Sequence, residues 1–144
     1  MRYRFSDGWE RGIEKGSTTM GAQMPALPEL RILVVEDTLM LAEVLVDQLE
    51  DCGCHVVGPA AHLNRGMALA QSEKLDGALL DVNLNSERCF PIAAVLTARS
   101  IPFAFLTGYG DTAIAPEFRH VPRLTKPYSS ADLTRLLAQR FVHA

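Results

Sequence analysis

The sequence predicts an α/β domain, a parallel five-stranded sheet doubly wound with helices on both faces, and three observations predict it. Apolar runs of strand length recur five times between Leu30 and Thr125, each followed by a segment of helix length. Several of these runs are apolar throughout rather than alternating, as expected of strands buried on both faces. Four of them lead into residues suited to phosphate or a divalent cation: Glu36-Asp37, Asp81, Thr107 and Lys126-Pro127. In a parallel sheet these ends share one edge, where open α/β folds place their ligands.

The elements follow in order. Arg31 to Glu36 reads as a buried strand, with Thr38 as N-cap of a helix running to about Asp51. In that helix Leu41, Val44, Leu45, Gln48 and Leu49 fall at three-and-four spacing as one inward stripe, and Gly53 ends it. His55 to Ala60 makes the second strand, and residues 62–73 the second helix with Leu63, Met67 and Ala70 inward. Asp76 to Val82 is the third strand. Phe90 to Arg99 is the third helix, with Pro91 tolerated in its first turn. Pro102 to Thr107 is the fourth strand, and residues 111–119 a short, weak helix interrupted by Pro116. Val121 to Leu124 is the fifth strand; Ser129 or Ser130 caps a last helix through Phe141, with Leu133, Leu136, Leu137 and Phe141 inward. Right-handed crossovers then give a (βα)5 sheet in the flavodoxin-like order 2-1-3-4-5.

The 144 residues suffice for one domain, expected over 29–144, with 1–28 as a flexible tail rich in Gly, Ser, Thr and Met. Within the tail, Phe5, Trp9 and Ile13 recur at a spacing of four and form one apolar face if the segment is helical, although nothing there has a period long enough to stand alone. No run approaches the ~18 apolar residues of a membrane span, and residues 1–24 lack the apolar core of a secretory signal, so a cytoplasmic location is the expectation. Residues 29–144 carry ten basic and fourteen acidic side chains with no basic cluster, which argues against nucleic acid as a direct ligand. Cys52, Cys54 and Cys89 have no second Cys/His pair at zinc spacing, and read as small residues of a helix-to-strand turn and the core. His55, His62, His120 and His143 are scattered and suggest no metal cluster.

The strand ends carry the chemistry. An aspartate closing an apolar strand, as Asp81 does, is costly without compensation. Asp37, at the end of the neighbouring first strand, would repel it unless a divalent cation holds both ionised. Magnesium suits oxygen ligands of this kind, and Glu36 is long enough to reach it directly or through water. Lys126 supplies a point charge for Asp81 or a phosphoryl oxygen; Thr107 supplies a hydroxyl; Gly108 leaves room for a tetrahedral group. Metal, ammonium and hydroxyl around a carboxylate nucleophile make a cradle for phosphoryl transfer, with an aspartyl phosphate as product.

Glu36-Asp37, the strand-terminal Asp81, Thr107-Gly108 and Lys126-Pro127 resemble, in order and spacing, the signature of bacterial response-regulator receiver domains over residues 30–143. The resemblance implies Asp81 as phosphoacceptor, and Mg²⁺ bound by Asp37, Asp81 and the Asn83 main-chain carbonyl with help from Glu36. It implies Thr107 and Lys126 as sensors of the phosphoryl group, and a cis Lys126-Pro127 bond. It further implies a signalling domain rather than an enzyme, phosphorylated by a sensor histidine kinase or phosphotransfer protein and passing the signal to a downstream protein. The position three before the lysine, usually a switching aromatic, is Arg123, and the Met-Pro pair usual after the phosphoacceptor is absent. Phe105-Leu106-Thr107-Gly108-Tyr109 is instead similar to the Phe-Ala-Thr-Gly-Tyr motif of an atypical stand-alone set, which makes Tyr109 and the segment after it the candidate switch. Two other classes compete. A phosphatase-like hydrolase would carry an aspartate where Asn83 stands, and a degenerate docking module would not be expected to keep the acidic residues intact.

Overall fold

The computed structural model describes residues 28–108 and 114–142. The expected apolar face at Phe5, Trp9 and Ile13, the candidate switch residue Tyr109, the start of the 111–119 segment and His143 lie outside them. Five parallel strands form one sheet: β1 (Arg31–Val35), β2 (His55–Ala60), β3 (Gly77–Asp81), β4 (Phe103–Thr107) and β5 (Arg123–Thr125). Their order is β2-β1-β3-β4-β5, the expected 2-1-3-4-5. The helices are α1 (Leu39–Asp51), α2 (Leu63–Ser72), α3 (Phe90–Ala98) and α4 (Ser130–Arg140).

Alternate residues of each central strand feed two cores, because successive side chains leave a strand on opposite faces. Leu33, Val35, Ala78, Leu80, Phe103 and Phe105 pack with Leu69 and Ala70 of α2 and Ile92, Ala93 and Leu96 of α3. Ile32, Val34, Leu79, Ala104 and Leu106 pack with Leu45 and Leu49 of α1 and with Leu133, Leu137 and Phe141 at α4. On this second face the sheet meets α4 closely. A β-carbon at Gly77 would come within 2.5 Å of the Phe141 ring, so only glycine lets β3 start beneath it. Double-sided burial explains why the third and fourth runs lack polar alternation: every residue of β3 and β4 is buried.

Several local expectations are corrected. In α1 the buried residues are Ala42, Leu45 and Leu49, whereas Leu41 and Val44 are exposed. Most of α1 is apolar, so spacing alone does not choose a face; the small Ala42 turns inward, where helix and sheet approach closely. Thr38 holds the N-cap position of α1 but makes no side-chain cap bond; its amide donates to Glu36 Oε2 instead (3.1 Å). α4 has the full capping box, Ser129 with Asp132. Inward packing in α2 centres on Gly66, Leu69 and Ala70, with Leu63 and Met67 at the core's margin. The 111–119 segment keeps, in its described part, one 3₁₀ turn at Pro116–Phe118. That is consistent with a proline that permits a first turn and little more. β5 begins at Arg123 rather than Val121, which is buried ahead of the strand. Gly53 ends α1 at φ +87° as expected, and Pro91 stands in the first turn of α3. Among the described residues no helix is long and apolar enough to cross a membrane.

Candidate functional site

The carboxyl ends of β1, β3 and β5 deliver three carboxylates and one ammonium to a single point. β1 runs directly into Glu36, whose amide donates to the Ala60 carbonyl at the end of β2 (2.9 Å), so the residue is held in line with the sheet. Asp81 is the last residue of β3, beside Leu106 of β4. Lys126 follows β5, and its amide donates to the Thr107 carbonyl (2.8 Å), stitching β5 to the end of β4. The Lys126-Pro127 bond is cis, as expected; Gly58-Pro59 is also cis, and nothing in the sequence reading anticipated it.

Lys126 Nζ lies 2.7 Å from Glu36 Oε1 and 3.1 Å from Asp81 Oδ2. The other oxygen of each carboxylate is also bound: Glu36 Oε2 accepts from the Thr38 amide (3.1 Å), and Asp81 Oδ1 from the Asn83 amide (3.2 Å). Asp37 Oδ2 accepts from the Asn85 amide (2.7 Å). Ligand oxygens of Glu36, Asp37 and Asp81 all lie within 4.8 Å of one another. Glu36 and Asp81 are buried, Asp37 half-buried.

Burial and a hydrogen bond with Glu36 push the Asp81 carboxyl up to about 7, against the opposing pull of Lys126. Burial disfavours the charge on Lys126, but Glu36 and Asp81 outweigh it and raise its pKa. One ammonium therefore does not balance three crowded carboxylates. A divalent cation fits this donor set: hard oxygen ligands, excess negative charge, and half-buried access at Asp37.

The β4 side differs. Thr107 is buried and in register with Thr125. Beyond it a β-carbon on Gly108 would meet nothing within 4 Å among the described residues. Arg123, at the position three before Lys126, is exposed, paired in register with Phe105. The site residues foreseen in the sequence, Glu36, Asp37, Asp81, Asn83, Thr107 and Lys126, thus gather at one sheet edge. Two features escaped sequence reasoning. Glu36 is as close a partner of Lys126 as Asp81 is, and Asn85 clamps Asp37 from a two-residue hairpin that pairs Asn83–Leu84 with Glu87–Arg88. Asn85 adopts φ +59°, and an asparagine beside a serine is the turn signal that could have revealed the hairpin. Cys54 is buried with its thiol pushed up to about 12, and Cys52 is held at the end of α1, which fits the structural reading of the cysteines.

No protein-family model matches the chain. It is 26% identical over 107 residues to the transcriptional regulatory protein PdtaR of Mycobacterium tuberculosis, a match covering 72% of this chain; the chain spans about half (52%) of that relative's length. The receiver domain of sensor histidine kinase PA1611 from Pseudomonas aeruginosa PAO1, which has a magnesium ion in its active-site cleft, shares the fold. There the TM-score is 0.63 and identity 24%, over 78% of this chain and 97% of that one. SdrG from Sphingomonas melonis Fr1 in solution is 37% identical, with TM-score 0.70, over 80% of this chain and 97% of SdrG. A BeF₃-activated conformation of SdrG, from Pseudomonas melonis Fr1, matches at 36% and TM-score 0.66, over 78% and 97% of the two chains. With this fold, this cluster at the sheet edge and this identity across nearly all of SdrG, the chain belongs to the response-regulator receiver family.

Proposed function

We propose that this receiver accepts one phosphoryl group on Asp81 and passes the signal on through a protein surface, without DNA as its direct ligand. The observation that carries this reading is the Asp81 carboxylate, held at the sheet edge between Lys126 and the Asn83 amide with Glu36 and Asp37 alongside. In the reaction an Asp81 oxygen attacks phosphorus and the bond from phosphorus to the donor breaks. The donor, a phosphohistidine or an acyl phosphate, keeps that bond's electron pair. Lys126 then faces an oxygen of the new aspartyl phosphate, and Thr107 supplies a hydroxyl to another. Glu36, Asp37, Asp81 and the Asn83 carbonyl are the groups that would hold Mg²⁺. When bound, the ion neutralises charge on the carboxylates and the transferring group.

On this reading the donor is a sensor histidine kinase or phosphotransfer protein, and the target is another protein. The domain promotes only its own phosphorylation and dephosphorylation. Residues 1–28 are a tail outside the receiver domain at 29–144, which works in the cytoplasm. The test is mass spectrometry after treatment with a small acyl phosphate and Mg²⁺. One phosphoryl adduct is expected on the full chain and none on Asp81→Asn; an adduct that survives the substitution would overturn the assignment. Rapid release of inorganic phosphate in place of a stable adduct would point to the hydrolase reading, and no adduct in either protein to a docking module.

A further inference from the structure

α1 turns a strongly apolar surface to solvent. Leu39 is 71% exposed, Met40 73%, Leu41 43% and Val44 50%, and these are the large hydrophobic side chains exposed among the described residues. At about 100° per residue, Met40 and Val44 stand opposite the buried Ala42, Leu45 and Leu49. Glu43 and Asp47 border them, and the helix as a whole carries four acids and no base. Four apolar side chains in two turns on the outward face of a surface helix mark a surface that is covered by something.

We propose that the covering element is the chain's own amino-terminal segment, docked through Phe5, Trp9 and Ile13 onto Met40 and Val44, with Leu39 and Leu41 at the margins. The spacing of four places the three side chains on one helical stripe, which matches a helical face of comparable length. The segment also carries Arg2, Arg4, Arg11 and Lys15 against Asp7, Glu10 and Glu14, a net charge of +1 to set against Glu43, Asp47, Glu50 and Asp51 of α1. Gly8 and Gly12 make an isolated helix here unfavourable, so its order depends on the surface it meets. Reach is ample. The fourteen residues between Ile13 and Pro28 extend to about 50 Å, whereas β1, which separates Pro28 from α1, is roughly 17 Å long. A tether of this length gives an effective concentration near ~1 mM, so even a patch with a Kd of ~0.1 mM would be about 90% covered. The first turn of α1 follows Asp37 directly, so the docked segment would lie at the rim of the carboxylate cluster. The docking itself does not depend on the phosphoacceptor reading.

Trp9 is the only tryptophan in the chain, so its fluorescence reports the contact without labelling. In the full chain its emission should lie to the blue of a solvated indole, and acrylamide quenching should be several-fold slower than for free tryptophan. A Met40→Glu/Val44→Glu variant, which changes only exposed positions, should shift the emission to the red and restore fast quenching, with far-UV circular dichroism unchanged. The charge pairing predicts a smaller shift in the same direction for Glu43→Lys/Asp47→Lys. A solvated Trp9 in the native chain would overturn the proposal, as would a shielded Trp9 indifferent to the α1 substitutions. Shielding that disappears on dilution together with a sedimenting dimer would overturn it too, since the occupant would then be a second copy.

Discussion

The two sides of the site are built differently. On the side of β1, β3 and β5, the carboxylate oxygens of Glu36 and Asp81 and one of Asp37 have donors within hydrogen-bond distance, and each donor is anchored to a strand end or the hairpin beside it. On the β4 side, Thr107 ends its strand beside a glycine whose β-carbon would meet no described residue within 4 Å, and the usual aromatic position is an exposed arginine. A preorganised electrostatic half faces one in which a glycine follows the hydroxyl. In physical terms the first can bind charge without rearranging, and the second can answer a new charge by changing shape.

Removing the central cation should break the rigid half most severely. Lys126→Met leaves Glu36 and Asp81 facing each other while buried, at a cost of about 3 kcal/mol. The sign of its pH dependence follows from Asp81. Its carboxyl, already pushed up to about 7 with the lysine present, rises further without it. The carboxyl then takes up its proton above neutral pH, so by pH 5 the repulsion is gone. Denaturant unfolding should therefore show a large loss of stability at pH 8 and a smaller one at pH 5. Equal losses at both would mean that Lys126 acts by packing rather than charge.

Asp37 tests the same half through the proposed metal site. It is the most accessible of the three acids, and the Asn85 amide holds its geometry. Asp37→Asn keeps the shape but removes a charge, so Mg²⁺ affinity by calorimetry should fall about tenfold or more. An unchanged affinity would remove Asp37 from the ligand set.

A smaller effect should appear in the metal-free native protein. The folded pKa of Asp81 is about 7, above the ordinary aspartate value of 3.8. The fold thus binds the proton more tightly than the unfolded chain does. That contribution to stability is complete below about pH 4 and is lost as pH rises through 7. Asp81→Asn should abolish this slope and melt a few degrees higher than the native chain at pH 8, about 3–6 °C. Mg²⁺ should close the gap by stabilising only the native protein. A slope that persists in the variant would assign the titration to another group.

How much was legible in the sequence follows the same division. The strand ends could be read because charge after an apolar run is costly and conspicuous, and Glu36, Asp37, Asp81 and Lys126 all stand out in that way. α4 could be read because its polar residues face outward, leaving Leu133, Leu137 and Phe141 inward. α1 packs on the same side of the same sheet yet misled the periodicity, because its outward face is apolar as well. Asn85 left only a turn signal, since what it gives the site is a backbone amide, which every residue but proline carries. The Glu36–Lys126 contact was hidden for another reason: residues 90 apart in sequence meet only once the sheet order is realised.

The β4 half yields the smallest expected effect. Phosphorylation adds up to about two negative charges beside Thr107. The threonine should move toward them and carry Gly108 along, since glycine absorbs changes in φ and ψ that other residues resist. Arg123 is exposed and is not expected to enter an apolar slot behind the threonine, so the change should run along the chain from Gly108 instead. It should stop at Phe118. That ring stacks on Phe90 at 5.7 Å and meets Phe103 at 6.0 Å and Phe105 at 6.1 Å, so the 3₁₀ turn is pinned to the core. Val121, whose amide donates to the Phe118 carbonyl, is buried behind it. Adding a beryllofluoride mimic should therefore change hydrogen exchange by about tenfold between residues 108 and 115, fading toward Val121. α1 and α4, on the opposite core, should exchange as before. Unchanged protection across 107–120 with changes elsewhere would place the switch in another element, and strong changes at Phe118 itself would mean that the aromatic cluster moves with the loop.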